Sequence, residues 1–309
     1  MNTFIKVLPF LFVLLIGFGC KPTAKNVSNN KNIVLVDDLN NKITLNSQPK
    51  RIITLAPSLT EMIYELGMGN KLVGNTTYCD YPDEAKKITK VGDLLNVDAE
   101  KVLMLKPDLV FVTIEGNTQE SYKKLKDLGI KVFVSNPRNY DGIKKTFKDL
   151  ANIFSVTKKA DSIITGWDNR INKLTAFNSS DTNKYIMFII ELKPLIVAGN
   201  KTFLNEYIRL AGYKNIVYDS KVNYPILNRE EVLKRNPSFI IFSYEDKEIA
   251  KKILKLYPEW KKIDAIKNNG VITINPNVYF RPGVRFVDAA EELIKNLRLR
   301  KEGLQALKQ

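Results

Sequence analysis

Short apolar runs alternate with amphipathic segments along most of the chain. Apolar and polar residues alternate at 33–36 and 43–45, on either side of the polar turn 37–41, which predicts a β-hairpin. Beyond it, apolar strand-like runs are separated by segments with apolar residues every three or four positions, the spacing of a helix. The predicted strands are 33–36, 43–45, 52–55, 71–73, 109–113, 131–134, 185–190, 215–218, 239–243 and 271–274, and the predicted helices are 59–66, 98–105, 118–128, 141–153, 203–211, 229–235, 247–256 and 285–298. Alternating strands and helices predict parallel sheets covered by helices, an α/β fold.

One stretch of this pattern occurs twice. Residues 100–112 and 230–242 carry Glu, Val, Leu and Pro at the same relative positions, and each Pro precedes an apolar strand. The match extends upstream to Gly67 and Gly212. In a chain of 309 residues, a repeated α/β unit predicts two duplicated Rossmann-like lobes rather than a solenoid. Two lobes create a cleft, where small ligands commonly bind.

The two copies differ in length between their shared positions. From Asn70 to Glu100 the first copy spans 15 more residues than the second copy spans from Asn215 to Glu230. Downstream, Gly129 of the first copy matches Gly270 of the second. The first lobe is therefore expected to carry an insertion that the second lacks.

The N-terminus carries an export signal. Lys6 precedes the apolar run 7–18, which is too short for a membrane-spanning helix, and Cys20 follows at the expected cleavage point. This arrangement is typical of bacterial lipoproteins, whose Cys is lipidated. Because Gly17 stands where Leu is usual, secretion with a free Cys20 is the alternative. The expected location is the periplasm or the cell surface, with a lipid anchor in a bacterial membrane.

A single helix is predicted to join the lobes, because the apolar residues between 156 and 177 fall on one helical face and no Gly-Pro linker interrupts them. Such a helix would hold the lobes in a fixed relative orientation. The predicted organisation is a signal peptide at 1–19, a lipidated flexible tether at 20–32, an N-terminal lobe at 33–155, a linking helix at 156–178 and a C-terminal lobe at 179–309.

Composition excludes several functions. The chain contains no His, which removes Ser-His-Asp and Cys-His catalysis, HExxH zinc sites and histidine ligation of haem. The net charge is +15, or +14 without the signal and its single Lys6, but the basic residues are spread along helices rather than gathered in a nucleic-acid-binding motif. We therefore expect no enzymatic activity, no resident cofactor or metal, and no nucleic-acid partner.

Several motifs identify a family. They are 54–61 (TLAPSLTE), 78–82 (YCDYP), 98–100 (DAE), 106–110 (KPDLV), 128–132 (LGIKV) and 228–231 (NREE). Through these motifs residues 51–298 resemble the helix-linked periplasmic binding proteins that serve ABC importers of cobalamin, ferric siderophores and haem, and they are most similar to the cobalamin-binding members. The resemblance implies a monomer that captures cobalamin or a related corrinoid and delivers it to a dimeric membrane permease. The alternative ligand is a ferric siderophore or haem.

The resemblance also implies roles in ligand binding. Tyr78 matches a family tyrosine that packs on one face of the corrin ring. Tyr224 and Leu94 stand where the family has ligand-stacking Trp residues, which reduces the aromatic area and leaves room for another corrinoid or flat chelate. Arg281 falls in the last cleft loop, where it would bind an amide oxygen or an anionic siderophore. The complete expected ligand-binding set is Tyr78, Asp80, Tyr81, Leu94, Ile196, Tyr224, Tyr279 and Arg281.

Glu100 and Glu230 match the two family glutamates, one per lobe, that dock onto permease arginines. Their equivalence in the internal repeat supports this independently, since duplicated lobes present duplicated charges to a two-fold transporter. The alternative is that both are solvated first-turn glutamates favoured by the helix dipole. Glu61 is a weaker docking candidate, because a capping box that begins at Ser58 explains it.

Overall fold

The computed structural model describes residues 32–176, 184–243 and 248–306, with side chains described as far as residue 302. The predicted signal peptide, Cys20 and residues 177–178 of the predicted linking helix lie outside the described residues. Among those that are described, no helix combines the length and apolar composition needed to cross a membrane.

The observed elements follow the predicted order closely. The strands are β1 (Ile33–Val36), β2 (Lys42–Leu45), β3 (Ile52–Thr54), β4 (Leu72–Asn75), β5 (Leu109–Thr113), β6 (Val132–Ser135), β7 (Tyr185–Leu192), β8 (Leu195–Val197), β9 (Lys214–Asn215), β10 (Phe239–Phe242) and β11 (Val271–Thr273). The α-helices are α1 (Pro57–Glu65), α2 (Ala99–Met104), α3 (Gln119–Asp127), α4 (Tyr140–Ile153), α5 (Thr157–Ala176), α6 (Leu204–Leu210), α7 (Arg229–Arg235), α8 (Ile249–Leu256), α9 (Asp264–Lys267), α10 (Pro276–Tyr279) and α11 (Phe286–Ala306). Short 3₁₀ helices lie at Gly69–Lys71, Asp83–Lys87 and Pro258–Lys262.

Two sheets share one strand order. In the first, the order β4-β3-β5-β6 is parallel throughout. In the second, β9, β7, β10 and β11 form the same parallel order, and β8 adds an antiparallel strand to β7 that the sequence did not predict. The prediction of two duplicated α/β lobes is therefore confirmed. The β1–β2 hairpin forms a separate antiparallel pair.

One hydrophobic core runs through both lobes. The central strands are apolar on both faces, as is typical of parallel sheets covered on both sides. One face of each sheet joins a common core with the buried face of α5, and the opposite face packs in a core of its own lobe. The common core includes Ile52, Leu109, Phe111 and Phe133 of the first sheet, Ile186, Phe188, Phe239, Ile241 and Ile272 of the second, and Ala160, Ile164, Trp167 and Ile171 of α5.

The helix α5 joins the lobes, as predicted. The rings of Phe147 in α4 and Trp167 in α5 lie 5.0 Å apart. On its exposed side Arg170 donates hydrogen bonds to Asp288 and Glu291 of α11. The connection is therefore packed on both sides, which favours a fixed orientation of the lobes.

The repeated glycines end equivalent helices. Gly67 and Gly212 both have positive φ, at 81° and 79°, and close α1 and α6 with the same pair of backbone hydrogen bonds. This is the Schellman motif, in which Gly adopts the left-handed conformation without a Cβ penalty. Lys106 and Asn236 are likewise left-handed, and each lies directly before the Pro of the doubled segment.

Two of the predicted matches between the repeated copies are wrong. Asn70 lies in a 3₁₀ turn before β4, whereas Asn215 pairs with Ile186 inside β9, so the two are not equivalent. In the downstream match of Gly129 with Gly270, the left-handed position that corresponds to Gly129 is held by Asn269 rather than Gly270. An added Cβ at Gly270 would lie 2.7 Å from the Ser238 carbonyl oxygen, so that glycine permits a close backbone approach instead.

Candidate functional site

A cavity of about 330 Å³ opens between the lobes at the carboxyl ends of their strands. In the first lobe its walls are the loops after β3, β4, β5 and β6, and in the second the segment after β11 contributes most. Ligands of parallel α/β sheets bind at this edge, because the loops that follow the strands converge there. The lining residues are Ala56, Pro57, Ser58, Tyr78, Leu94, Thr113, Glu115, Gly116, Asn136, Pro137, Phe203, Tyr224, Pro276, Asn277, Phe280, Arg281 and Pro282.

Aromatic side chains face the cavity from both lobes. Tyr78 of the first lobe is 53% exposed, and Tyr224 of the second is 37% exposed. Leu94 lines the same space, and Phe280 does so while its ring packs edge-on against Phe188 at 6.0 Å. A largely apolar wall with a few placed polar groups is the usual composition of a small-molecule site.

Tyr78 lies in an insertion loop, residues 76–97, which follows β4 in the first lobe. Lys90 organises this loop, since its Nζ donates to Asn75 Oδ1 at 2.8 Å and to the carbonyl oxygens of Cys79 and Ala85 at 3.1 and 3.0 Å. Burial lowers the pKa of Lys90. Cys79 is a free, buried cysteine whose Sγ accepts a hydrogen bond from the Thr60 hydroxyl at 3.1 Å.

Glu61 belongs to an ion-pair network that joins the lobes, so its interpretation as a capping residue is wrong. The helix α1 begins at Pro57, and its N-cap is Ala56, which has no side-chain cap. The Glu61 carboxylate is buried and accepts hydrogen bonds from Arg281 at 2.9 Å and from Arg285 at 2.6 and 2.9 Å. Both arginines follow β11 in the second lobe. Burial also makes Glu61 unavailable for docking.

Arg281 extends the same network to the insertion loop. It is 6% exposed and donates to Asp80 Oδ1 at 2.6 Å, to the Tyr78 carbonyl oxygen at 3.1 Å and to Asn277 Oδ1 at 3.2 Å. Burial opposes the ionisation of Asp80, but its hydrogen bond to Arg281 and the positive charge of that group outweigh this, so the pKa of Asp80 lies below its usual value.

A second ion pair, Glu115 with Arg138, borders the cavity. Partial burial raises the pKa of Glu115, while the charge of Arg138 opposes the shift. Burial, together with the negative charge of Glu115, raises the pKa of Tyr224. The Tyr224 phenol therefore stays protonated at neutral pH and can donate a hydrogen bond to a ligand.

Four of the eight predicted ligand-binding residues line the cavity: Tyr78, Leu94, Tyr224 and Arg281. Asp80 and Tyr81 are not among the lining residues: Asp80 accepts a hydrogen bond from Arg281, and the Tyr81 ring lies 4.5 Å from the Arg285 guanidinium.

The other two predicted residues point elsewhere. Ile196 lies in β8 and pairs with Ile226, outside the cavity wall. Tyr279 does not line the cavity, contrary to the prediction. It is 2% exposed, and its ring packs 5.3 Å from the ring of Tyr207 in the core. Its neighbour Phe280 lines the cavity instead.

Other lining residues escaped the sequence analysis. Thr113, Glu115, Asn136 and Pro137 come at or directly after the ends of β5 and β6. Their position at the strand ends could have identified them as cavity residues. Phe203 had no comparable signal, because it precedes a helix.

Glu100 and Glu230 occupy equivalent, exposed positions. Each is the second residue of its helix, α2 or α7. Each helix has a short polar N-cap: Asp98 accepts from the Lys101 N–H at 2.9 Å, and Asn228 accepts from the Glu230 N–H at 2.8 Å. Both carboxylates are thus free to meet a partner.

The described residues offer no obvious metal centre. Within 32–176, 184–243 and 248–306, no three His, Cys, Asp or Glu side chains come together in a way that could hold a metal ion.

Two α/β lobes, one connecting helix and a cavity between the lobes define a substrate-binding protein. A family model described as periplasmic binding protein matches residues 52–278, and the chain belongs to this family. Its members are substrate-binding transport proteins rather than enzymes. A small molecule is therefore the expected cargo and the permease of an ABC transporter its recipient.

Individual relatives agree with this assignment. The chain is 31% identical over 272 residues to an uncharacterized ABC transporter substrate-binding lipoprotein, YvrC, of Bacillus subtilis, with 85% of each chain covered. It is 30% identical over 262 residues to the vitamin B12-binding protein of Pectobacterium carotovorum, covering 84% of this chain and 92% of the relative. The crystal structure of the periplasmic vitamin B12-binding protein BtuF of Vibrio cholerae superposes with a TM-score of 0.71 at 28% identity, covering 82% of this chain and 98% of that one.

Proposed function

We propose that this protein captures cobalamin or a related corrinoid in the cavity between its lobes and delivers it to a dimeric permease. The observation that carries the proposal is the pair Tyr78 and Tyr224, which line one cavity from opposite lobes. A corrinoid is a flat macrocycle, and aromatic rings on two sides suit such a ligand. The vitamin B12-binding relatives support the same ligand class.

The polar groups of the cavity fit the periphery of a corrinoid. Corrinoids carry amide side chains, and Ser58, Asn136 and Asn277 offer hydroxyl and amide groups at the wall. The metal of a corrinoid arrives within its own chelate, so the binding protein has no need to supply a complete ligand set. This is consistent with a chain that contains no His.

Haem or a ferric siderophore is the alternative ligand. A cavity tyrosine such as Tyr78 offers a phenol oxygen, which ligates iron in some haem proteins. The raised pKa of Tyr224 disfavours its phenolate and therefore its use as a second iron ligand. The preference for a corrinoid rests on the two cavity tyrosines and on the vitamin B12-binding relatives.

The binding test uses the chain without its signal peptide. The protein is mixed with cyanocobalamin, haemin or a ferric siderophore and passed through a gel-filtration column, and the chromophore that elutes with it is recorded. We expect cyanocobalamin to co-elute. Haemin or siderophore co-elution alone would establish the alternative, and no co-elution would refute both.

A matched pair of variants locates the ligand. Tyr78→Ala is expected to weaken cyanocobalamin binding about tenfold, about 1.4 kcal/mol, because one stacking surface is lost. Tyr218→Ala serves as the control, since Tyr218 is 42% exposed but lies outside the cavity. Equal affinity losses in both variants would place the ligand elsewhere.

The proposal includes a lipid anchor at Cys20 and a monomeric state. The similarity to a protein named as a lipoprotein supports the anchor. Cys20→Ser is expected to move the protein from the membrane fraction to the soluble fraction of cells, and persistence in the membrane fraction would contradict the anchor.

A further inference from the structure

A buried arginine of the second lobe holds the segment of the first lobe that carries Tyr78. Four of the five N–H groups of the Arg281 guanidinium are engaged: one Nη with Glu61 and Asp80, the other with the Tyr78 carbonyl oxygen and Asn277. Three of these acceptors, Glu61, Asp80 and Tyr78, belong to the first lobe. The segment 78–80 is therefore hydrogen-bonded to the second lobe across the cleft as well as to its own loop.

The contact between the lobes is close at this point. An added Cβ at Gly283 would lie 3.2 Å from Ser58 Cβ, so the backbone after β11 packs directly on the start of α1. Glu61 is 2% exposed there, and a carboxylate removed from water is stable only when it is paired. Arg281 and Arg285 both satisfy it, which makes the two lobes mutually dependent at this contact.

The same geometry argues against Arg281 as an anion-binding group. Its charge and that of Arg285 face two carboxylates, those of Glu61 and Asp80, so the four side chains carry no net charge. A neutral cluster exerts little attraction on an anionic ligand. Because its donors are already used, Arg281 has little capacity left to bind one.

We propose that Arg281 is a positioning residue for ligand recognition: it fixes Tyr78 and Asp80 of the insertion loop against the second lobe, and Tyr78 presents its ring to the ligand only while that contact holds. The inference rests on the proposed function for its ligand, since Tyr78 is the stacking residue assigned there. It replaces the expectation that Arg281 binds the ligand directly.

The experiment compares Arg281→Gln with the same substitution at another arginine, Arg235, which makes a similar set of contacts. Arg235 also binds two carboxylates, Asp219 and Glu231, and a carbonyl oxygen, but it lies outside the cavity. Arg285 remains to pair Glu61 in Arg281→Gln, which keeps the buried carboxylate compensated. Both variants are therefore expected to fold, and thermal unfolding checks this.

The first measurement needs no ligand. Hydrogen exchange of the backbone amides of residues 78–81 is expected to accelerate about tenfold in Arg281→Gln and to stay unchanged in Arg235→Gln. Unchanged exchange in Arg281→Gln would overturn the proposal. If Arg281→Gln fails to fold, Asp80→Ala removes one contact of the same arginine from the other side and is expected to accelerate the same amides.

The second measurement separates positioning from direct contact. Cyanocobalamin affinity is expected to fall about tenfold in Arg281→Gln, and the double variant with Tyr78→Ala is expected to bind no more weakly than Tyr78→Ala alone. Losses that multiply in the double variant would show that Arg281 contacts the ligand itself, which would overturn the proposal. If the unaltered protein binds no cyanocobalamin, the proposed function fails, while the exchange measurement still decides the role of Arg281.

Discussion

The two lobes are alike where they build the scaffold and different where they meet the cavity. Both use one parallel strand order, both end the first helix with a left-handed glycine, and both expose a glutamate at the second position of a short helix. Scaffold features of this kind depend on interactions within a lobe, which duplication preserves. Under the proposed delivery to a dimeric permease, the exposed glutamates are the part of the shared scaffold expected to contact it.

Each lobe adds its own support for a cavity tyrosine. In the first, Lys90 braces the insertion loop from within. In the second, β8 braces residues 223–227, since the Val197 N–H donates to the Pro225 carbonyl oxygen at 3.1 Å and the Gly199 N–H to that of Asn223 at 2.7 Å. The second lobe therefore carries an addition of its own, which the sequence did not predict. The two walls of the cavity are therefore built differently on one repeated frame.

The largest expected effect concerns the shared glutamates. Glu100→Ala combined with Glu230→Ala is expected to abolish transport of the ligand into cells while leaving its affinity unchanged, because both side chains lie outside the cavity. Glu120→Ala is the control, since Glu120 is another exposed first-turn glutamate of the first lobe. Normal uptake by the double variant would refute the docking assignment, and so would a loss of uptake with Glu120→Ala.

The next largest effect is expected at the two repeated glycines, and it shows whether their turns contribute equally to stability. Gly67→Ala and Gly212→Ala are each expected to lower the free energy of unfolding by about 1–2 kcal/mol, because Ala is strained at positive φ. Gly166→Ala is the opposite control: an added Cβ meets nothing within 4 Å in the middle of α5, and a gain of about 0.5–1 kcal/mol is expected. Urea unfolding measures all three. Unequal losses at Gly67 and Gly212 would show that the repeated turns differ energetically.

A smaller effect is expected from adding a larger aromatic ring to each wall of the cavity, which would make the two walls more alike. Leu94→Trp and Tyr224→Trp each add aromatic surface at the cavity, so cyanocobalamin is expected to bind more tightly by about 0.5–1.5 kcal/mol, roughly two- to tenfold. Titration followed by the cobalamin visible spectrum measures the change. Weaker binding in both variants would indicate that the cavity is already filled and has no room for a larger ring.

The last comparison concerns the left-handed residues before the repeated prolines, and it includes the smallest single effect, at Lys106. Lys106→Asn is expected to stabilise the protein by about 0.5 kcal/mol, because Asn tolerates this conformation better than Lys. The exchange Asn236→Lys is expected to cost about 1 kcal/mol or more, since Asn236 Oδ1 also accepts from the Asp264 N–H at 2.8 Å. Equal and opposite changes would mean that this hydrogen bond contributes nothing.

The sequence by itself determined the elements, their order and the two-lobe plan. Apolar periodicity, the glycines at 67 and 212 and the repeated Pro segments all act over a few residues, so they can be recognised without a structure. Tyr78, Leu94 and Tyr224, which the resemblance to the family marked as candidate ligand-binding residues, all line the cavity. β8 (Leu195–Val197) was not predicted from the sequence.

Only the tertiary structure decided what the charged groups do. The spacing of Ser58 and Glu61 is the same in a capping box and in a buried ion pair, and the partners that distinguish them, Arg281 and Arg285, lie more than 200 positions away along the chain. Likewise, adjacent Tyr279 and Phe280 face the core and the cavity respectively, because the packing of the segment after β11 sets its rotation. Local sequence fixes the strands and helices, whereas the packing of distant segments determines which side chains meet across the cleft.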